Sequence, residues 1–120
     1  MKKRILIIDD EPDFIEMIQM RLEANDYDVI SENDGASGID RARDERPDLI
    51  LLDVMMPVMD GYETLFKIRQ EPSLLQVPVI MLTAKGESRA IFKAQELGAT
   101  DYLIKPCDSK DLLSLMAKHA

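Results

Sequence analysis

"LILLDVMMPVMDG", Leu49 to Gly61, sets the reading of the fold. Four consecutive aliphatic residues, without polar alternation, read as a strand buried on both faces. The run ends on a carboxylate, Asp53, and two methionines and a proline follow. A solvated strand end accounts for that pattern, and so does a reactive group on a rigid mount.

Outward from this stretch the same kind of run recurs. The others are "RILII" (Arg4 to Ile8), "DVIS" (Asp28 to Ser31), "VIML" (Val79 to Leu82) and "YLI" (Tyr102 to Ile104). Helical patterns separate them. The first spans about Pro12 to Ala24, with Pro12 suited to a first helical position. Phe14, Ile18 and Leu22 recur there on one face. The second covers about Ala36 to Glu45 and stops at Pro47, and the third starts after Asp60-Gly61 with Leu65 and Ile68. The fourth runs from about Ser88 to Leu97, where Gly98 suits a left-handed C-terminal cap. The fifth follows Asp108 or Ser109, either of which can cap it, and carries Leu112, Leu115 and Met116. The order βαβαβαβαβα predicts a doubly wound three-layer α/β domain with a parallel sheet. Strand order is not fixed by the pattern.

The chain has 120 residues, so one domain over residues 1–120 is expected. Its formal net charge of -8 lacks the basic footprint of a nucleic-acid binder. Such a surplus suits binding of cations or basic partners, and it equally serves solubility. The one cysteine, Cys107, permits no internal disulfide and fits a reducing compartment. The N-terminal apolar run ends at Asp9, Asp10 and Glu11, too early for a signal peptide. No stretch approaches the ~20 apolar residues of a membrane span. A soluble, cytoplasmic protein without membrane association is expected. The one histidine, His119, lies next to the chain end, where fraying is expected, so histidine-based catalysis by this chain is not.

In open α/β sheets ligands bind beyond the carboxyl ends of the strands. Asp9 and Asp10 follow the first run, Asp53 the third, Thr83 the fourth and Lys105 the fifth, while the second ends near Ser31-Glu32 with nothing distinctive. Any one of these reads best as a solvated strand-edge residue. As a set they describe one crevice holding three carboxylates, a hydroxyl and an ammonium. Three clustered carboxylates raise one another's pKa unless a cation intervenes. A hard divalent cation with oxygen ligands relieves this, and Mg²⁺, which binds one or two carboxylates, waters and a phosphate, suits it best. Mn²⁺ is the alternative.

With "IIDDEP", "LLDVMMPVMDG", "VIMLTA" and "YLIKP" in this order and spacing, the chain resembles, over its whole length, the receiver domain of two-component response regulators. The resemblance implies a flavodoxin-like five-stranded sheet of order 2-1-3-4-5. It implies that Asp53 is the phosphoryl acceptor, as a carboxylate nucleophile forming an acyl phosphate. Phosphoryl transfer needs positioning and charge neutralisation above all, which a rigid strand end serves. Asp10 is implied as a direct Mg²⁺ ligand, Asp9 as one acting through water, and Met55 as a ligand through its backbone carbonyl. Lys105 would pair with phosphoryl oxygens and Thr83 would hydrogen-bond them. Tyr102 would turn from exposed to buried as Thr83 moves, and the Lys105–Pro106 bond would be cis. The switching segment would be the fourth helix, fifth strand and fifth helix.

The implied partners are a sensor histidine kinase or histidine phosphotransfer protein, a downstream output domain or protein, and a phosphorylation-dependent second copy. Nucleic acid is not among them. The implied activity is that of a phosphoacceptor switch promoting its own phosphorylation and dephosphorylation, not of an enzyme acting on other substrates. On the first helix, Ile15 rather than Met20 is the expected contact for a phosphodonor protein. Met55, Met56 and Met59 read as gap-fillers or as an adaptable surface, and Cys107 as a plain thiol. Lys85, two residues after Thr83, is expected to influence dephosphorylation. A Mg²⁺-dependent phosphohydrolase with Asp53 as nucleophile is the rival reading, but no second carboxylate stands two residues after Asp53. A pure interaction module is the other. The chain ends at "LLSLMAKHA" with no output domain in view, and is expected to be a stand-alone receiver or part of a longer regulator.

Overall fold

A computed structural model describes residues 2–84 and 88–120. Its strands are β1 (Arg4–Ile8), β2 (Asp28–Glu32), β3 (Leu49–Asp53), β4 (Val79–Ala84) and β5 (Asp101–Lys105). Helices α1 (Pro12–Glu23), α2 (Gly35–Glu45), α3 (Gly61–Gln70), α4 (Ser88–Glu96) and α5 (Ser109–His119) alternate with them. All strand pairs are parallel, in the order β2-β1-β3-β4-β5. The expected doubly wound α/β fold of order 2-1-3-4-5 is thus present.

Alternation along the central strands builds two cores. Ile5, Ile7, Leu49, Leu51, Ile80, Leu82 and Leu103 face α1 and α5, where Ile18, Leu22, Leu112 and Met116 meet them. Leu6, Ile8, Ile50, Leu52, Val79 and Met81 face α2, α3 and α4, against Ile39, Ala42, Leu65, Ile68 and Ala94. Both faces of the inner strands are covered, which is why their sequences carry no polar alternation.

The helix boundaries have local causes. Asp34, Asp60 and Asp108 accept the backbone N–H of Ser37, Glu63 and Asp111 at 2.8–2.9 Å, so Asp108 rather than Ser109 caps α5. Gly98, at φ 97°, ends α4. Arg46 closes α2 in a left-handed conformation at φ 45°, one residue before Pro47. A short 3₁₀ turn at Pro72–Leu74, absent from the sequence pattern, joins α3 to β4. The C-terminus differs from expectation. His119 lies within α5, and its Nε2 is 2.9 Å from Asp101 Oδ2 at the start of β5. That contact between half-buried groups holds the last turn where fraying was expected.

Arg69 joins three segments. Its Nε donates to the Gly98 carbonyl at 3.0 Å, and its Nη1 donates to the carbonyls of Leu74 and Val77 at 3.0 and 2.9 Å. Burial pulls its pKa below the ordinary arginine value, but three carbonyl partners suit a guanidinium that stays charged. Replacing Arg69 with Ala strands those carbonyls and is expected to cost about 2 kcal/mol. Urea unfolding should show a lower midpoint at an unchanged slope.

Candidate functional site

Sheet parity assembles the site. In β1, β3 and β5 the odd-numbered residues face α1 and α5, and Asp9, Asp53 and Lys105 continue those rows past the cores. Ile8 pairs with Leu52, so one step further brings Asp9 beside Asp53. Thr83 continues the opposite row, behind Met81.

The result is a buried charge cluster. Asp9 is fully buried and Asp53 is 4% exposed. Lys105 Nζ lies 2.7 Å from Asp9 Oδ2, 2.9 Å from Glu11 Oε1 and 3.5 Å from Asp53 Oδ1. It also sits 4.2 Å from the centre of the Phe14 ring. The Glu11 backbone N–H donates to Asp9 Oδ1 at 2.9 Å. Carboxylate oxygens of Asp9, Asp10, Glu11 and Asp53 all lie within 4.8 Å of one another. The Lys105–Pro106 peptide bond is cis.

Electrostatics follow from that burial. The Asp53 carboxyl is pushed up to about 7, first by desolvation and then by the Asp9 charge, while Lys105 and the Met55 backbone N–H pull it back. Asp9 is also raised, chiefly by burial, against its bonds to Lys105 and the Glu11 N–H. For Lys105, burial works downward, but the bonds to Asp9 and Glu11 outweigh it and hold the ammonium above its ordinary value. The cluster therefore carries more negative charge than one ammonium neutralises. Oxygen donors of this hardness and closeness fit a divalent cation such as Mg²⁺.

Thr83 is 2% exposed, and its hydroxyl has no hydrogen-bond partner among the described residues. An unpaired buried hydroxyl carries a desolvation cost that an incoming acceptor would remove. Tyr102 is 39% exposed. Ile15 is half-buried against the α1–α5 core and lines a groove with Pro12, Gln19, Ser31 and Glu32. Of the three loop methionines, Met56 is buried and Met59 packs on the core, whereas Met55 is 70% exposed. Cys107 is a buried thiol whose pKa is raised by desolvation, and its carbonyl accepts from Arg21 at 3.2 Å. Lys85 lies outside the described residues. Glu11 and Phe14 belong to the cluster although strand-end reasoning passed over them. Both reach it from the start of α1, and the one signal was the third acidic residue in "DDE".

Fold and crevice together define a flavodoxin-like domain with a cation-hungry acidic site at the carboxyl edge of its sheet. The chain matches the response regulator receiver domain over residues 5–117, and it belongs to that family. It is 43% identical over 112 residues to the alkaline phosphatase synthesis transcriptional regulatory protein PhoP of Bacillus subtilis, covering 93% of this chain and 46% of the relative. The chain thus spans a little under half the length of the curated relatives it matches. Among solved structures, a putative response regulator from Chloroflexus aurantiacus superposes with a TM-score of 0.95 at 31% identity, covering 98% of this chain and 97% of that one. The receiver domain of the sensor histidine kinase PA1611 from Pseudomonas aeruginosa gives 0.91 at 30% identity, over 99% and 98% of the two chains. That structure holds a magnesium ion coordinated in its active site cleft. Among the described residues no helix is long and apolar enough to cross a membrane.

The raised Asp53 pKa has a signed consequence. Because the folded value lies above the unfolded one, Asp53 favours folding below about pH 4, and that contribution is lost as pH rises through about 7. In chelator, Asp53→Asn is therefore expected to raise the melting temperature by roughly 5 °C at about pH 8 and hardly at all at about pH 4. Scanning calorimetry at both pH values measures this directly.

Proposed function

We propose that residues 1–120 form one receiver module that accepts a phosphoryl group on Asp53 from the phosphohistidine of a sensor histidine kinase or histidine phosphotransfer protein. The observation that carries this is the buried Asp53 carboxylate at a strand end, with Lys105 Nζ 3.5 Å away and further carboxylate oxygens within 4.8 Å. An Asp53 oxygen attacks phosphorus, the N–P bond of the donor breaks, and the imidazole leaves and is reprotonated by solvent. The product is a mixed anhydride on Asp53.

Asp10, Asp53 and the Met55 carbonyl would hold Mg²⁺ or Mn²⁺, with Asp9 acting through water. When bound, that cation supplies charge neutralisation for the carboxylates and the phosphoryl oxygens. Lys105 supplies a second positive charge to those oxygens. The Thr83 hydroxyl donates to one of them, which supplies the partner it lacks among the described residues. Thr83 leads toward α4, so its movement is read out by Tyr102 and the α4–β5–α5 face, which changes affinity for an output domain, a protein partner or a second copy. Ile15 contributes to the phosphodonor contact. Hydrolysis of the acyl phosphate resets the switch. The reading places the module in the cytoplasm and gives it no direct contact with nucleic acid.

Incubation with Mg²⁺ and a small acyl phosphate, followed by intact-mass measurement, tests this. One phosphoryl adduct is expected, lost in Asp53→Asn and without Mg²⁺. Turnover of many unrelated phosphate esters per chain would instead identify a hydrolase, and absence of any adduct would leave an interaction module. In Thr83→Val the adduct should still form, while the change in the NMR signals of the Tyr102 ring that accompanies it in the unaltered chain should be reduced.

A further inference from the structure

Lys105 has a seat that the phosphoacceptor role does not require. Its ammonium rests against Asp9, but it is also held from the α1 side by Glu11 Oε1 at 2.9 Å and by the Phe14 ring at 4.2 Å. Glu11 is the N-cap residue of α1, yet its side chain caps nothing. Short side chains usually fill that position because they bond the first-turn N–H groups. The longer glutamate instead reaches a lysine 94 residues away. Its main chain is fixed too, by the N–H bond to Asp9 Oδ1 and by Pro12 next in line. The Asp9 bond fixes the Glu11 backbone, and its side chain, with no capping role in α1, reaches Lys105.

An ammonium has three donors. In this structure one is spent on Glu11, the ammonium is ion-paired with Asp9 Oδ2 at 2.7 Å, and Asp53 Oδ1 stands farther off at 3.5 Å. A phosphoryl group on Asp53 would compete with Glu11 for the ammonium, pulling it toward the phosphoryl oxygens. We infer that Glu11 is a positioning residue that parks Lys105 in the resting state and so opposes occupation of Asp53. This rests on the reading of Asp53 as phosphoacceptor. An interaction made in the resting state and given up on loading weakens loading by its full worth. Glu11 is 63% exposed, so that worth is small: about two- to fivefold in affinity.

Beryllofluoride, a non-reacting stand-in for the phosphoryl group, tests the inference by titration of the whole chain at saturating Mg²⁺, without dependence on turnover. Glu11→Ala is expected to bind it about two- to fivefold more tightly than the unaltered chain, with Glu11→Gln between them. The same Glu11→Ala change in a Lys105→Met background is expected to have no effect, since the effect runs through the lysine. Should that background bind too weakly to titrate, Asp13→Asn serves as the control. It removes an exposed charge from the same turn of α1 and should leave the affinity unchanged. Weaker or unchanged binding in Glu11→Ala overturns the inference, because Glu11 is then a cation ligand or a bystander. Tightening that persists without Lys105, or that Asp13→Asn reproduces, also overturns it, because general charge repulsion then suffices. If the unaltered chain binds no beryllofluoride with Mg²⁺, the phosphoacceptor reading itself falls, and this inference with it.

Discussion

Asp9 and Asp53 put two carboxylates side by side at a buried end of the sheet, and like charges at that depth demand a cation. In this structure the cation is Lys105, and much of the architecture serves to deliver it. β5 is separated from β3 by β4, a span of about 10 Å across the sheet. A four-carbon stem can cross it if nothing on β4 stands in the way. Thr83 belongs to the opposite row, and Ala84, which pairs with Lys105, is small. The strand order, the parity of β5 and the size of one β4 residue are thus conditions on a single charge contact.

The other condition is a mount that does not yield. Gly61 approaches the strand end so closely that a Cβ there would lie 2.2 Å from the Asp53 carbonyl oxygen and 2.7 Å from the Val54 Cα. Its N–H donates to the Val54 carbonyl at 2.9 Å, which clamps the start of α3 onto the end of β3. Between the clamps Val58 is fully exposed at φ 68°, where a β-branched residue is costly. The Met59 N–H bond to the Pro57 carbonyl and the Asp60 cap fix the residues after it. The loop therefore holds local strain in exchange for a fixed Asp53, as is common where backbone geometry serves a site.

The central strands were legible because burial on both faces leaves a continuous aliphatic run, and the crevice because strand ends collect in one place. The missing parts have physical reasons. Strand ends such as Glu32, Asp53, Asp101 and Lys105 pair in the sheet without being apolar, so the runs looked shorter than the ladders. Arg69 was invisible because its partners are backbone carbonyls, which no side-chain pattern encodes. The His119–Asp101 contact joins the end of one helix to the start of the strand before it, a pairing that only the packed fold creates. Glu11 and Phe14 were passed over because the seat of Lys105 depends on how far side chains reach from α1, not on which residues end the strands.

The resting site is incomplete in two ways, and one event would mend both. Asp53 has a pKa near 7 because burial and Asp9 together exceed what Lys105 offsets. Thr83 keeps a buried hydroxyl with no partner among the described residues. Under the proposed function, a cation and a phosphoryl group arriving together neutralise the first and engage the second. Stabilisation withheld from the resting state is then available to the loaded one, and this differential is what a two-state switch requires. Asp53 and Thr83 lie on opposite rows of adjacent strands, the first facing α1 and α5 and the second facing α4. A group bridging them therefore couples the charge cluster on one side of the sheet to the helix on the other.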